Sequence, residues 1–103
     1  MTYESFEYDV LVIGAGGAGL RAAIEASSAG VSVGLVCKSL LGKAHTVMAE
    51  GGMAAAMGNA DPRDNWAVHF RDTMRGGKFL NQWRMAELHA KNAPHEVRLL
   101  EEW

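Results

Sequence analysis

Closely spaced glycines near the beginning of the chain are the first residues whose spacing suggests chemistry. They belong to a GxGxxG pattern made of Gly14, Ala15, Gly16, Gly17, Ala18 and Gly19. In this pattern the first glycine permits a tight turn, the second lets backbone amides approach a pyrophosphate, and the third allows a helix to pack closely on a strand. The phosphates then lie at the positive end of the helix. The pattern predicts dinucleotide binding, with a glycine-rich turn that holds no ligand as the alternative.

A second candidate is His45, which lies in a segment without a regular hydrophobic period. A neutral imidazole is a nucleophile near neutral pH, although a single loop histidine is more often a surface residue. The other histidines, His69, His89 and His95, have no metal-like spacing with one another or with Cys37. We therefore expect no metal site, and we expect His69 to have a structural role.

The predicted elements on both sides of the glycines decide between dinucleotide binding and a glycine-rich turn that holds no ligand. Residues 10–13 form a continuous apolar run, which is typical of a strand buried on both faces of a parallel sheet. Residues 20–29 have a helical period and are followed by Gly30, a natural helix terminator. Residues 31–36 are predicted to form a second strand. A strand, a glycine turn, a helix and a strand within about 30 residues make a βαβ unit. This frame favours dinucleotide binding and predicts an α/β fold with a Rossmann-like βαβ unit.

The last third of the chain is expected to be helical. Asp64 can cap a helix that runs to about Arg75. Asn81 can cap a second helix that runs to about Asn92, and Pro94 can open a third. The large side chains at helical spacing here are expected to be core residues: Trp66, Met74 and Trp83.

Composition and charge exclude several classes of protein. The 103 residues are 49% hydrophobic and 21% charged, which is typical of a globular chain. The formal net charge of −2 argues against a nucleic-acid partner or a polybasic membrane surface. The single cysteine, Cys37, excludes an internal disulfide and suits a reducing compartment. We expect neither a signal peptide nor a membrane-spanning stretch in this sequence.

The end of the second predicted strand departs from the dinucleotide-binding pattern. An acidic residue that binds the ribose hydroxyls is expected there, and the chain has Cys37, Lys38 and Ser39 instead. A lysine at this position could bind the 2′-phosphate of NADP, so a nicotinamide-binding module is an alternative. Otherwise Lys38 is a solvated loop residue, and Ser39 or a backbone group binds the ribose. The pattern alone leaves these alternatives open.

The segment around His45 resembles the flavin-linking segment of the flavoprotein subunits of succinate dehydrogenases and fumarate reductases. It reads KAHTVMAEGG over residues 43–52, and the family pattern is (S)HTVxA(E/Q)GG. In that family the histidine carries FAD covalently through the 8α-methyl carbon, and a lysine is common at the strand end. Residues 64–76 also resemble the family's D-x-W-x-x-H-x-x-D-T-x-x-G stretch. The sequence departs from the family pattern at residues 42–44. Many members have Pro or Thr at the first of these positions, Arg at the second and Ser at the third.

The resemblance implies the first part of a larger FAD-binding domain. It assigns a βαβ unit to residues 1–37, a flavin-linking segment to 38–60 and a helical segment to 61–103, with the rest of the domain and the substrate domain outside them. The cofactor-binding residues that it implies are Gly14, Ala15, Gly16, Gly17, Ala18, Gly19, Cys37, Lys38, Ser39, Ala44, His45, Thr46, Glu50, Gly51 and Gly52. His45 would carry the covalent FAD. No catalytic residue is expected here, because the family's substrate-binding histidines and arginines lie further along the chain.

The activity that the resemblance implies is the interconversion of succinate and fumarate. A hydride passes to or from FAD, and electrons pass through an iron–sulfur subunit to or from a quinone. Membrane anchor subunits would place the assembly on the cytoplasmic, inner face of the cell membrane, and the 103 residues alone are expected to be inactive. The alternative is a non-catalytic module that binds FAD or NADP. The motifs leave open the direction of the reaction, the quinone, the anchor type and the oligomeric state.

Overall fold

Two short parallel strands and one helix form the first part of the fold. In a computed structural model that describes residues 1–103, strand β1 spans Val10–Ile13 and strand β2 spans Val33–Val36. The strands pair in parallel over their whole length, first residue opposite first residue. Helix α1, Gly17–Ser28, connects them and packs on both. The predicted strand–helix–strand order with a parallel sheet is therefore present.

The bounds of α1 and β2 differ slightly from the sequence prediction. α1 begins at Gly17 rather than at Leu20, so that two of the glycines belong to its first turn. Gly30 follows the helix with φ +85, as expected of a terminator. β2 begins at Val33, later than predicted, and Ser32 just before it hydrogen-bonds to the Asp9 side chain.

Asp9 and Ser32 fasten the beginnings of the two strands together. The Asp9 amide donates to the Ser32 hydroxyl over 2.9 Å. Ser32 donates twice to Asp9 Oδ2, from its amide over 2.8 Å and from its hydroxyl over 3.0 Å. These donors, the Ser32 amide first among them, lower the pKa of the Asp9 carboxyl. The pair thus favours the observed register while Asp9 is ionised.

Two helices dominate the second of the two compact units into which the chain divides, Met1–Gly51 and Gly52–Trp103. α2 spans Trp66–Gly76, α3 spans Trp83–Glu102, and the two pack on each other. The buried residues of α3 are alanines at helical spacing: Ala86, Ala90 and Ala93. Small side chains on one helical face allow the second helix to come close. None of the helices has the length and apolar composition that a bilayer requires.

The cap of α2 lies one residue beyond the predicted Asp64. Asn65 is the N-cap, because its side-chain oxygen accepts from the amides of Ala67 over 2.9 Å and Val68 over 3.2 Å. The Asp64 amide instead donates to the Asp61 carbonyl over 3.0 Å. Asp64 therefore belongs to the preceding turn, and the prediction that it caps the helix is wrong.

The cap of α3 is also displaced by one residue from the predicted Asn81. The Gln82 side chain accepts from the Met85 amide over 2.8 Å and caps the helix. The Asn81 side chain donates to the Thr73 carbonyl over 3.2 Å, near the end of α2. Asn81 thus ties the connecting turn to α2 instead of beginning α3.

Pro94 lies inside α3, and the third helix predicted to start there does not exist. A proline removes the hydrogen bond to the carbonyl four residues earlier, here Ala90, at a cost of about 3 kcal/mol or more. The alanine face of α3 is buried against α2, and this packing stabilises the helical turns that precede Pro94. Helical hydrogen bonds continue after it, as from the Trp103 amide to the Leu99 carbonyl over 3.1 Å. The helix therefore passes through Pro94 to Glu102.

The large side chains of the second unit lie nearer the surface than predicted. Trp83 is 52% exposed, Trp66 is 39% exposed and Met74 is half-buried. The Lys91 ammonium lies 4.5 Å from the centroid of the Trp66 ring, and the Arg84 guanidinium lies 5.2 Å from that of Trp83. Within the described chain the tryptophans are therefore not core residues, and their ring faces contact cations instead.

The Asp9–Ser32 pair predicts how the stability of the chain depends on pH. Because the pKa of Asp9 is lowered on folding, its carboxylate stabilises the fold above the ordinary value of 3.8. This stabilisation is lost as the pH falls through the lowered pKa. Asp9→Asn should therefore lower the Tm at neutral pH, and its difference from the wild type should shrink in strong acid.

Thermal melts followed by circular dichroism across this pH range measure the effect. Ser32→Ala, which removes the hydroxyl donor to Asp9, should remove part of the same pH-dependent stabilisation. A Tm difference between Asp9→Asn and the wild type that is equally large at neutral and at strongly acidic pH would contradict the assignment.

Candidate functional site

The turn after β1 brings α1 into direct contact with the end of the strand. Gly14 has φ +112, which residues with side chains rarely adopt, and its amide donates to the Val36 carbonyl over 2.7 Å. A Cβ atom on Gly19 would collide with the Gly14 carbonyl oxygen, so the helix packs on the turn itself. Ala15, within the turn, is buried. The turn and the close helix packing predicted for the first and third glycines are both observed.

The N-terminus of α1 has backbone amides that can bind an anion. Gly16 is the N-cap, with extended backbone at φ −78 and ψ −174 and no side chain to accept a hydrogen bond. The Leu20 amide bonds to the Gly16 carbonyl over 2.9 Å and so closes the first helical turn. The amides of Ala18 and Gly19 precede it and have no intrahelical acceptor. Together with the helix dipole they favour a phosphate at this end.

The loop after β2 is held by local hydrogen bonds. The Cys37 thiol donates to the Ser39 carbonyl over 2.8 Å, and Cys37 forms no disulfide. The Lys43 amide donates to the Leu40 carbonyl over 3.2 Å, and Gly42, within that turn, has φ +83. These contacts direct the chain from the end of β2 to the segment around His45.

His45 begins a short 3-10 helix, His45–Met48, where the sequence showed no regular period. The hydroxyl of Thr46 accepts a hydrogen bond from the Gly17 amide over 2.9 Å. A Cβ atom on Gly17 would lie 3.3 Å from both Oγ1 and Cγ2 of Thr46, which is a close contact. The segment around His45 therefore lies against the first turn of α1.

A cavity of about 620 Å³ lies at the carboxyl ends of β1 and β2. This edge is where open parallel sheets bind their ligands. The predicted cofactor-binding residues that line it are Gly14, Ala15, Gly16, Cys37, Lys38, Ser39, Ala44, His45 and Thr46. Two lysines, Lys38 and Lys43, line the wall and no carboxylate does. The cavity therefore combines a helix N-terminus with positive side chains and suits an anionic ligand.

Some predicted residues do not line this cavity, and some lining residues were not predicted. Those outside the lining are Gly17, Ala18 and Gly19 in the first turn of α1, Glu50 and Gly51, which are exposed, and Gly52 of the second unit. The lining residues that the sequence analysis missed are Ile13, Val36, Leu40 and Lys43. Ile13 and Val36 end the two strands, and Lys43 carries charge close to His45. Three of these four residues could therefore have been predicted from the sequence: Ile13 and Val36 from their positions at the strand ends, and Lys43 from its charge.

In the second unit, the rings of His69 and His89 lie edge to face, with centroids 5.6 Å apart. The His69 carbonyl accepts from the Thr73 hydroxyl over 2.8 Å within α2. The structure contains no group of three or more His, Cys, Asp or Glu side chains suited to a metal ion. The contacts of His69 thus join α2 and α3, in keeping with a structural role.

Comparison with known proteins relates nearly the whole chain to flavoproteins. The profile of the FAD binding domain family matches residues 9–103. One component of the fumarate reductase (CoM/CoB) of Methanothermobacter marburgensis is 49% identical over 104 residues, covering 100% of this chain and 19% of that protein. The succinate dehydrogenase flavoprotein subunit of Rickettsia bellii is 40% identical over 97 residues, covering 94% of this chain and 16% of that protein.

A solved structure is similar in both sequence and fold. The Sdh1 complex of Mycobacterium smegmatis in the apo form contains a chain that is 70% identical, with a TM-score of 0.84. The match covers 92% of this chain and 16% of that one. This chain therefore spans less than a fifth of the length of the relatives it matches.

The packing of α1 on the glycine turn predicts a large effect for one Gly→Ala substitution and a small effect for another. Gly19→Ala should lower the free energy of unfolding by about 1–3 kcal/mol or more, because its Cβ meets backbone that cannot move aside. Gly16→Ala is the matched control. Its φ suits any residue and its Cβ would meet only Thr46 Oγ1 at 3.7 Å, so a change within about 0.5 kcal/mol is expected. Urea unfolding followed by circular dichroism measures both, and equal stabilities would contradict the packing argument.

Proposed function

This chain belongs to the FAD binding domain family, and we propose that the cavity of its first unit holds FAD in the flavoprotein subunit of a succinate dehydrogenase or fumarate reductase. The observation that carries the proposal is that one cavity is bordered by both the glycine turn and His45. These features are distant in sequence, and the bond between Thr46 and Gly17 joins them. The names of the relatives support the same enzyme class.

The residues present fit the pyrophosphate of FAD. The amides of Ala18 and Gly19 are available at the N-terminus of α1, and Gly16 has no side chain that would occupy the space beside them. Lys38 and Lys43 add positive charge to a wall that has no carboxylate. We assign the pyrophosphate to the glycine turn for these reasons, in a Rossmann-like unit over residues 1–37.

The other proposed contacts divide between the two ends of the cofactor. Lys38 and Ser39, at the end of β2, would bind the adenosine side, together with the backbone of Cys37. The segment 44–46 would contact the flavin, and it lines the same cavity. Glu50, Gly51 and Gly52 complete the proposed flavin-linking segment, 38–60, and the helices follow over 61–103.

His45 is the proposed attachment point of the flavin. Its imidazole is exposed at the start of the 3-10 helix and lines the cavity, so a ligand bound there can reach it. Attachment would replace one C–H bond of the 8α-methyl group and the imidazole N–H bond by a C–N bond. The two protons and two electrons released would require a two-electron acceptor such as dioxygen. A neutral imidazole is the nucleophile that this bond requires.

The proposed activity is the interconversion of succinate and fumarate, for which FAD, when bound, would supply the hydride-transfer chemistry. The residues of this chain bind and orient the cofactor, and we assign no catalytic residue to them. The dicarboxylate site would lie in the remainder of a larger FAD-binding domain and its substrate domain. Partners would be quinone-linked membrane anchor subunits, on the cytoplasmic face of the membrane, together with an iron–sulfur subunit.

The alternative is a non-catalytic module that binds FAD or NADP, and Lys38 is the observation that favours NADP. Its side chain lines the cavity at the end of β2, where a 2′-phosphate could reach it. Binding of NADP by a preparation that contains no flavin would support this alternative. The family match favours FAD.

The attachment at His45 predicts the mass of the denatured protein. The full chain, purified and denatured in acid, should retain the mass of one FAD, and His45→Ala should retain none while still binding FAD before denaturation. His95→Ala, at an exposed histidine of α3, is the matched control and should behave as the wild type. Intact-mass spectrometry and flavin absorbance measure both quantities. Covalent flavin on His45→Ala would contradict the assignment.

A further inference from the structure

α1 differs from the other two α-helices in how its N-terminus is capped. The side chains of Asn65 and Gln82 cap α2 and α3 from within their own N-termini. Gly16, the N-cap of α1, has no side chain and so cannot accept a hydrogen bond as a Ser, Thr, Asp or Asn at this position would. The acceptor for the Gly17 amide comes from Thr46 instead, 29 residues further along the chain.

The same bond holds the 3-10 helix that begins at His45. This helix has no buried residue, and the backbone bonds at its two ends are long, from the Val47 amide to the Ala44 carbonyl over 3.2 Å and from the Ala49 amide to the Thr46 carbonyl over 3.3 Å. Helices of this type are stable only in short pieces and have poor hydrogen-bond geometry. The Thr46 hydroxyl makes the one side-chain hydrogen bond from His45–Met48 to the rest of the unit.

The contact between the 3-10 helix and α1 fits a threonine at position 46 and a glycine at position 17. A Cβ on Gly17 would lie 3.3 Å from Cγ2 of Thr46 as well as from Oγ1, so the methyl group also packs against α1. A β-branched side chain has few rotamers, which favours a fixed position of the hydroxyl. The hydroxyl accepts from Gly17 and keeps its own proton available for donation.

We propose that Thr46 is a positioning residue for His45: by capping α1 from the flavin-linking segment, its hydroxyl holds the imidazole at the cavity and makes flavin attachment depend on the pyrophosphate turn. This inference rests on the proposed attachment of FAD to His45. Because His45 and Thr46 are adjacent in one helical turn, release of the hydroxyl from Gly17 frees the imidazole as well. Because Thr46 also lines the cavity, binding and attachment are measured separately, and attachment is compared at FAD concentrations that saturate each variant.

Three substitutions in the full chain distinguish the positioning role of the Thr46 hydroxyl from an effect on the overall stability of the fold. Thr46→Val keeps the shape and removes the hydroxyl, whereas Thr46→Ser keeps the hydroxyl and removes the methyl group. Thr73→Val is the matched control, because the Thr73 hydroxyl bonds only to the His69 carbonyl within α2. Each apoprotein is incubated with FAD and sampled in time. Bound flavin is measured before acid denaturation, and protein-linked flavin is measured after it.

The expected result is a selective loss of attachment. At FAD concentrations that saturate each variant, Thr46→Val should attach its bound FAD about fivefold more slowly or worse, the scale of one lost hydrogen bond. Thr46→Ser and Thr73→Val should attach it at about the wild-type rate. Thermal melts of the apoproteins show that each variant is folded.

Other outcomes distinguish the inference from the proposed function. Attachment by Thr46→Val at the wild-type rate would overturn the inference and leave His45 as the attachment point. Equal slowing in Thr46→Ser and Thr46→Val, or a parallel loss of binding and attachment, would overturn the role of the hydroxyl. A wild-type chain that binds FAD and never links it would overturn both the attachment at His45 and this inference.

Discussion

The contact between Gly19 and the Gly14 carbonyl is the constraint on which the site depends. Because no side chain separates α1 from the turn after β1, the helix N-terminus lies directly at the carboxyl ends of the two strands. A larger residue at position 19 would push the helix away and remove its amides from that edge. The cavity, the anion-binding amides and the contact with the segment around His45 all follow from this close approach.

Electrostatics then suit the cavity to its proposed ligand. In the common dinucleotide pattern an acid ends the second strand and binds ribose hydroxyls, and here Lys38 stands near that position. With Lys43 it makes the wall cationic, in a chain whose net charge is −2. The positive charge is thus concentrated where the helix dipole is also positive. Both features favour an anionic ligand at this edge, and a pyrophosphate carries the negative charge that they attract.

The sequence was a good guide wherever local pattern determines structure. The apolar run of β1, the glycine turn and α1 were predicted because their residues interact with near neighbours. The caps were displaced by one residue, since Asp64 and Asn65 are equally suited to the role and only the backbone path selects Asn65. The prediction of a third helix starting at Pro94 was wrong, because the packing of α3 on α2 outweighs the local cost of a proline inside the helix. The Thr46 bond to Gly17 spans 29 residues, and no local pattern indicates it.

We propose that FAD lies in this cavity with its pyrophosphate at the N-terminus of α1 and its ring at His45. An experimental structure of the full chain purified with FAD tests this arrangement. We expect phosphate oxygens within hydrogen-bond distance of the Ala18 and Gly19 amides and continuous density from the His45 imidazole to the isoalloxazine ring. FAD bound away from the N-terminus of α1, or a pyrophosphate held without these amides, would contradict it.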